Sequence, residues 1–159
     1  MVHEYLIVRI VSMSNLLRIS EAASLALHSM VLLTANGEQL LSTREIASTL
    51  GVSEAHLAKV LQRLAKVALV RSVRGPRGGF VVGRSSEDIT LLQVYEAIEG
   101  PLVPSTCLFG TPICGGEKCI LGGALRSVHE QLREYLAETK LNELVDVFAG
   151  EPCTHSEKS

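Results

Sequence analysis

The fold of this chain is decided by residues 42–84, which read STREIASTLGVSEAHLAKVLQRLAKVALVRSVRGPRGGFVVGR. Ser42 stands three residues before Glu45, which is the order of a capping box at the start of a helix. Gly51 is a typical stop for that helix, and a second helix is predicted from Glu54 to about Ala68. A short helix, a turn with glycine and an amphipathic second helix form a helix-turn-helix.

Two stripes of side chains run along the second helix. The first is apolar at helical spacing and predicts a face packed on a core: Leu57, Val60, Leu61 and Leu64. The second is polar and cationic and predicts an outward face: His56, Lys59, Arg63 and Lys66. This helix therefore has one side for the protein and one for a partner.

A β-hairpin is predicted directly after the second helix. Residues 69–73 and 79–83 are short β-prone runs, and residues 74–78 between them carry arginine, glycine and proline. A hairpin with Arg74 and Arg77 at its tip has the shape and charge of a wing. The segment is thus expected to fold as a winged helix-turn-helix.

The basic residues are concentrated in this segment, although the whole chain has a formal net charge of −2. Residues 42–84 contain only two acids, Glu45 and Glu54, against eight basic residues. The eight are Arg44, Lys59, Arg63, Lys66, Arg71, Arg74, Arg77 and Arg84. Cations gathered on one face of an acidic body indicate double-stranded DNA as the partner.

The predicted DNA contacts come from the first turns of both helices, the recognition helix face and the wing. The start of the second helix would enter the major groove, and the wing arginines would reach phosphates or the minor groove. The wing glycines would allow DNA to come close to the backbone. The candidate DNA-binding residues are Arg44, Ser53, Glu54, Ala55, His56, Lys59, Arg63, Arg74, Arg77 and Gly78.

The rest of the chain reads mainly as helix. One helix is predicted from Ser20 to Leu33, and another begins near residues 88–90, with Leu91, Val94, Tyr95 and Ile98 on its apolar face. A long helix follows Cys119 and runs to about Glu138. Its apolar residues alternate four and three apart, as in a coiled-coil seam, and predict a homodimer: Leu121, Leu125, Val128, Leu132 and Tyr135. The expected fold is mainly α with a small β-wing, completed by this long C-terminal dimerisation helix.

Residues 101–119 differ from the rest because they combine proline and glycine with Cys107, Cys114 and Cys119. Three thiolates within 13 residues favour a metal ion or an iron–sulfur cluster. Packing residues or a reversible thiol switch are the alternatives. Cys153 lies beyond the long helix and reads as a tail thiol. Glu21 and His28 are candidates for a fourth ligand if a second subunit brings them close.

The whole pattern resembles the Rrf-type family of winged-helix transcription regulators, which includes IscR-like and NsrR-like iron–sulfur regulators. Residues 46–64 (IASTLGVSEAHLAKVLQRL), 70–80 (VRSVRGPRGGF) and 88–100 (DITLLQVYEAIEG) carry the resemblance, together with the cysteine loop. It covers about residues 13–148. The resemblance implies a dimeric regulator, often a repressor, that senses iron–sulfur, redox or nitric oxide status through a cluster.

The resemblance also implies a ligand set. Cys107, Cys114 and Cys119 match the family's cluster cysteines, with different gaps between them. The position of the IscR-type histidine falls on Gly122, and the acidic ligand of NsrR-like members falls on Ser24. A histidine used by some relatives falls on His28, which is therefore preferred to Glu21 as the fourth ligand. The cluster type, [2Fe–2S] or [4Fe–4S], stays open.

The predicted organisation has an N-terminal extension (1–12), a winged helix-turn-helix domain (13–100), a cluster-binding loop (101–119), a dimerisation helix with a C-terminal segment (120–148) and a flexible tail (149–159). No apolar run is long enough to cross a bilayer, so a cytoplasmic protein without a membrane partner is expected. Nothing in the sequence indicates an enzyme. The alternatives are a cluster-free thiol/disulfide redox sensor and, from another class, an electron-transfer or sulfur-handling protein.

Overall fold

The computed structural model describes residues 19–103, 120–121 and 123–149. The predicted extension 1–12, the three loop cysteines and Cys153 lie outside the described residues. In chain order the elements are α1 (Glu21–Ala35), α2 (Thr43–Leu50), α3 (Glu54–Lys66), β1 (Val70–Val73), β2 (Gly79–Val82), a 3₁₀ helix (Ser86–Asp88), α4 (Leu91–Glu99), α5 (Ala124–Glu138) and a C-terminal 3₁₀ helix (Leu141–Phe148). The predicted class, mainly helical with a two-stranded antiparallel wing, is confirmed.

The core is built around α1, which packs against α3, α4 and the C-terminal 3₁₀ helix. Ser20 caps α1 by accepting a hydrogen bond from the Ala23 backbone N–H at 3.1 Å. Buried side chains occur on more than one side of this helix, as expected for an element with neighbours all round: Ala23, Leu25, Ala26, Ser29, Met30, Val31, Leu32 and Leu33.

The predicted helix-turn-helix is confirmed in α2 and α3. Ser42 and Glu45 form the capping box reciprocally: the Glu45 N–H donates to Ser42 Oγ at 3.2 Å, and the Ser42 N–H donates to Glu45 Oε2 at 2.7 Å. Gly51 ends α2 with φ of +67°, a left-handed conformation that suits glycine. The whole predicted stripe of α3 is buried: Leu57, Val60, Leu61 and Leu64.

Glu45→Gln is expected to destabilise the protein near neutral pH and to have little effect in acid. The Ser42 hydroxyl, and then its backbone N–H, donate to the Glu45 carboxylate and lower its pKa below the ordinary 4.5. A lowered pKa means that the contribution is complete above that ordinary value and is lost as the pH falls through the lowered one. Thermal unfolding at about pH 7 and about pH 3 tests this. Glu38→Gln, at another exposed position, is the control. A difference that persisted unchanged in acid would contradict the capping role.

The wing sheet contains a contact that the sequence did not predict. β1 and β2 pair antiparallel, with Val70 opposite Val82 and Val73 opposite Gly79. Leu41, just before the capping box of α2, then forms a bridge on the other side of β2. Its N–H donates to the Phe80 carbonyl at 3.0 Å, and the Phe80 N–H donates back at 2.8 Å. The wing is thereby joined directly to the helix-turn-helix.

The C-terminal part of the chain returns to the first helix. Leu136, near the end of α5, and Leu141 are buried in the same core as α1. The Leu141 N–H donates to the Ile89 carbonyl at 3.0 Å, and Thr90 and Lys140 form an isolated bridge. Residues 141–148 thus help to build the winged-helix core, whereas the first turns of α5 are largely exposed. No helix within the described residues is long and apolar enough to span a membrane.

Candidate nucleic-acid interface

The N-terminal turns of α3 present the predicted recognition residues on the surface. Ser53, Glu54, Ala55 and Lys59 are exposed, and His56 is half-buried. Ser53 occupies the N-cap position, but no capping hydrogen bond from its side chain to the first turn occurs in this described helix. The predicted cap is therefore wrong in its bonding, and the Ser53 hydroxyl is available to a partner. The exposed and buried faces of α3 are separated as the two stripes require.

His56 has a partner that the sequence did not reveal. Its Nδ1 lies 3.4 Å from Glu21 Oε1 at the start of α1, with side-chain exposures of 38% and 77%. An exposed pair of this kind contributes little to stability. It nevertheless brings the lesser candidate for a cluster ligand, Glu21, beside the recognition helix.

Arg63 is also placed differently from a simple surface cation. The residue is exposed, but its Nη2 donates a hydrogen bond to the backbone carbonyl of Ile98, at the end of α4. The guanidinium therefore has a partner within the protein. Its role as a DNA contact stays a prediction.

Both wing arginines lie where the sequence analysis placed them. Arg74 and Arg77 are exposed in the connection between β1 and β2, which puts two cations at one end of the hairpin. Gly75 between them has φ of +126°, a conformation that side chains rarely adopt. Arg44 is exposed in the first turn of α2. The cationic groups of helix and wing thus reach the surface of one folded unit.

The close approach expected at Gly78 and Gly79 is made by the protein's own backbone. A Cβ on Gly78 would lie 2.3 Å from the Val73 carbonyl oxygen, and one on Gly79 would lie 2.7 Å from the Leu41 carbonyl oxygen. Glycine is needed at both positions to close the hairpin and to seat the Leu41 bridge. The proposed contact of Gly78 with DNA has no independent support from this geometry.

His28 lies on the exposed side of α1. Its Nδ1 lies 2.7 Å from the Ser24 carbonyl oxygen. Since a carbonyl only accepts, this nitrogen carries the proton, and Nε2 keeps a lone pair. Among the described residues no group of three or more His, Cys, Asp or Glu could hold a metal ion. The predicted ligands Cys107, Cys114 and Cys119 lie outside that part of the chain.

The family model named Rrf2, an iron-dependent transcriptional regulator, matches residues 19–147. The chain belongs to the Rrf2 family. It is accordingly a DNA-binding transcriptional regulator and not an enzyme. The matched range includes the helix-turn-helix, the wing, the cysteine segment and α5.

Two curated Rrf2 relatives show how the similarity is distributed. Protein aau3 of Rhizobium meliloti (strain 1021) is 32% identical over 133 residues, which cover 81% of this chain and 85% of that protein. The HTH-type transcriptional regulator IscR of Klebsiella pneumoniae (strain 342) is 32% identical over 102 residues, 64% of this chain. The match spans 63% of that IscR's length.

Solved structures share the fold. CymR of B. subtilis, described as the global cysteine regulator, superposes with a TM-score of 0.69 at 28% identity, over 82% of this chain and 98% of CymR. T. potens IscR superposes with a TM-score of 0.62 at 23% identity, over 87% of this chain and 93% of IscR. The Rrf2 winged helix-turn-helix is thus shown, whereas relatives with different printed names leave the sensed signal unassigned.

Proposed function

We propose that this Rrf2 protein is a homodimeric repressor that senses iron–sulfur, redox or nitric oxide status through a cluster held by Cys107, Cys114, Cys119 and His28. The observation that carries the proposal is the state of His28. A metal-bound histidine usually donates its second ring N–H to a carbonyl or carboxylate, which fixes the ring and its tautomer. The Nδ1 bond to Ser24 does this, and it leaves Nε2 for a ligand.

The donor set suits a cluster. Three thiolates and one imidazole match the sulfur and nitrogen ligands that iron–sulfur centres accept. When bound, the group supplies a centre whose oxidation, nitrosylation or loss changes its hold on the protein. Because the loop cysteines and His28 belong to different parts of the chain, they would tie the cysteine segment to α1 of one or the other subunit.

Glu21 is the weaker candidate for the fourth ligand. Its carboxylate lies beside His56, 3.4 Å away. Recruiting Glu21 would remove that contact from the recognition helix, whereas His28 is already oriented by its own helix. Glu21 therefore serves better as a neighbour of the DNA-reading face than as a ligand.

The homodimer would form through α5. Along the predicted seam, Val128 is 36% exposed and Tyr135 is 57% exposed. The neighbouring Ile120 is 91% exposed. Large apolar side chains in this number on one short segment favour burial against a second copy. Two recognition helices in such a dimer would read half-sites about 34 Å apart, one turn of DNA.

A cluster-free thiol sensor is the second candidate, and the likeness to CymR favours it. The CymR superposition has the higher TM-score of the two reported, 0.69 against 0.62. In this case Cys107, Cys114 or Cys119 would form a disulfide on oxidation, and His28 would have no ligand role. DNA binding through helix and wing would be the same.

Cluster content separates these two candidates. Protein isolated without oxygen is expected to contain iron and acid-labile sulfide and to absorb visible light. Cys114→Ser and His28→Ala should each lose most of that absorption, whereas Cys153→Ser, the control in the tail, should keep it. Wild-type protein free of iron and sulfide would contradict the cluster and favour the thiol sensor. A cluster retained by His28→Ala would exclude His28 as a ligand.

A further inference from the structure

The last turn of α4 is where the recognition helix is joined to another part of the domain. A helix leaves its last four carbonyls without helical partners. In α4 one of them, at Glu96, accepts from the Gly100 N–H at 3.0 Å. The Ile98 carbonyl accepts from Arg63 Nη2 instead. The carbonyl end of a helix carries partial negative charge, so a guanidinium is a favourable donor there.

This bond links residues that are 35 positions apart in sequence. Arg63 belongs to the C-terminal half of α3, and the Ile98 side chain is buried in the core, 4% exposed. The bond therefore fixes the far end of the recognition helix to a rigid support. A tilt of α3 about its buried stripe would break it.

Other contacts gather at the same turn of α4. The Ser20 hydroxyl, which caps α1, donates to a carboxylate oxygen of Glu99. The Leu102 N–H donates to Glu96 Oε1 at 3.2 Å, where the chain leaves α4 towards Cys107. The start of α1, the end of the recognition helix and the segment that leads to the cysteines thus meet at one place.

We propose that Arg63 is a positioning residue, which holds α3 against the end of α4 and transmits a shift of the segment leaving α4 to the recognition helix. It does not act as a phosphate contact. This inference rests on the proposed function in one respect, because it requires that α3 reads DNA. It differs from the prediction made from sequence, where Arg63 belonged to the cationic DNA-binding stripe.

Affinity for two kinds of DNA distinguishes the two roles. A positioning residue affects base reading and so weakens only specific binding. A phosphate contact weakens binding to all sequences alike and contributes about 0.9 to the slope of log K against log salt. Arg63→Met removes the donors and the charge but keeps the length of the side chain. Arg63→Lys restores one donor.

The experiment measures Kd at several salt concentrations on an operator duplex selected from a random pool and on a scrambled duplex of equal length. For Arg63→Met we expect about 10-fold weaker operator binding, unchanged binding to the scrambled duplex and an unchanged salt slope, with partial recovery in Arg63→Lys. Gln62→Met, on the exposed neighbour, should resemble wild type. Arg77→Met should lower the slope by about 0.9.

Three results would overturn the inference while leaving the proposed function in place: unchanged operator affinity in Arg63→Met, a slope lowered by about 0.9, or equal losses on both duplexes. Equal losses at an unchanged slope would indicate partial unfolding, which the melting temperature of the variant would confirm. Wild-type protein that failed to bind any duplex would instead remove the DNA-binding function, and this inference with it.

Discussion

Replacing both wing arginines, Arg74→Gln together with Arg77→Gln, is expected to weaken DNA binding roughly 30- to 1,000-fold. Each lost charge-assisted hydrogen bond to DNA is worth about 1–2 kcal/mol, and about 1.4 kcal/mol is a factor of ten in Kd. Both side chains are exposed between paired strands and can meet a partner without rearrangement. The salt slope should fall by about 1.8, because two phosphate contacts are lost.

The control for this change removes equal charge elsewhere. Arg126→Gln with Arg133→Gln takes two exposed cations from α5, and it should leave both Kd and salt slope within about twofold of wild type. Equal losses in the two double variants would mean that net charge alone attracts DNA. Intact binding in the wing variant would show that the hairpin is not part of the interface.

Val128→Asp is expected to dissociate the dimer and to weaken operator binding about 100-fold or more. A charge in an apolar seam has no partner there and opposes burial. Once the subunits separate, each half-site is bound alone, and the gain of 10²- to 10⁴-fold that linked binding provides is lost. Because Val128 is already 36% exposed, the fold of the single subunit should survive.

Sedimentation and DNA titration on the same samples test this prediction. Ser127→Asp is the matched control, since it adds the same charge at the neighbouring exposed position, about a quarter of a turn from the seam. That variant should remain dimeric. If Val128→Asp stayed dimeric with wild-type affinity, α5 would not be the dimer interface.

The elements that the sequence predicted correctly are those with local signals. The Ser42–Glu45 capping box, Gly51 after α2 and the apolar spacing of α3 each act within a few residues, so their structural outcome follows from neighbours in sequence. The hairpin is equally local, because its turn residues lie between two β-prone runs. The buried face of α4 also matches the prediction: Leu91, Val94, Tyr95 and Ile98.

The features that the sequence did not reveal depend on contacts between distant residues. Leu41 pairs with Phe80, and Leu141 bonds to Ile89, yet none of these residues carries a local pattern that identifies its partner. Arg63 looked like one more cation in a stripe because a sequence does not show that a free helix end lies opposite it. For the same reason the wing glycines were assigned to DNA instead of to the Leu41 carbonyl.

The candidate ligands show the same division. The cysteine spacing predicts a sulfur-rich site, but Cys107, Cys114 and Cys119 lie outside the described residues. The His28 side chain gained support from a bond within its own helix, to Ser24. Glu21 lost support through a contact with His56 on another helix, which no spacing rule would indicate.

The most direct measurement is a titration of one operator duplex, selected from a random pool, with protein that holds its cluster and with the same protein after the cluster is removed by a chelator under anaerobic conditions. We expect nanomolar binding by one form and a Kd changed at least about 10-fold in the other, the usual size of a coupling between two sites. The selected site should also have two-fold symmetry. Equal affinity of the two forms would contradict cluster sensing, and failure of both to bind any selected duplex would contradict the DNA-binding function itself.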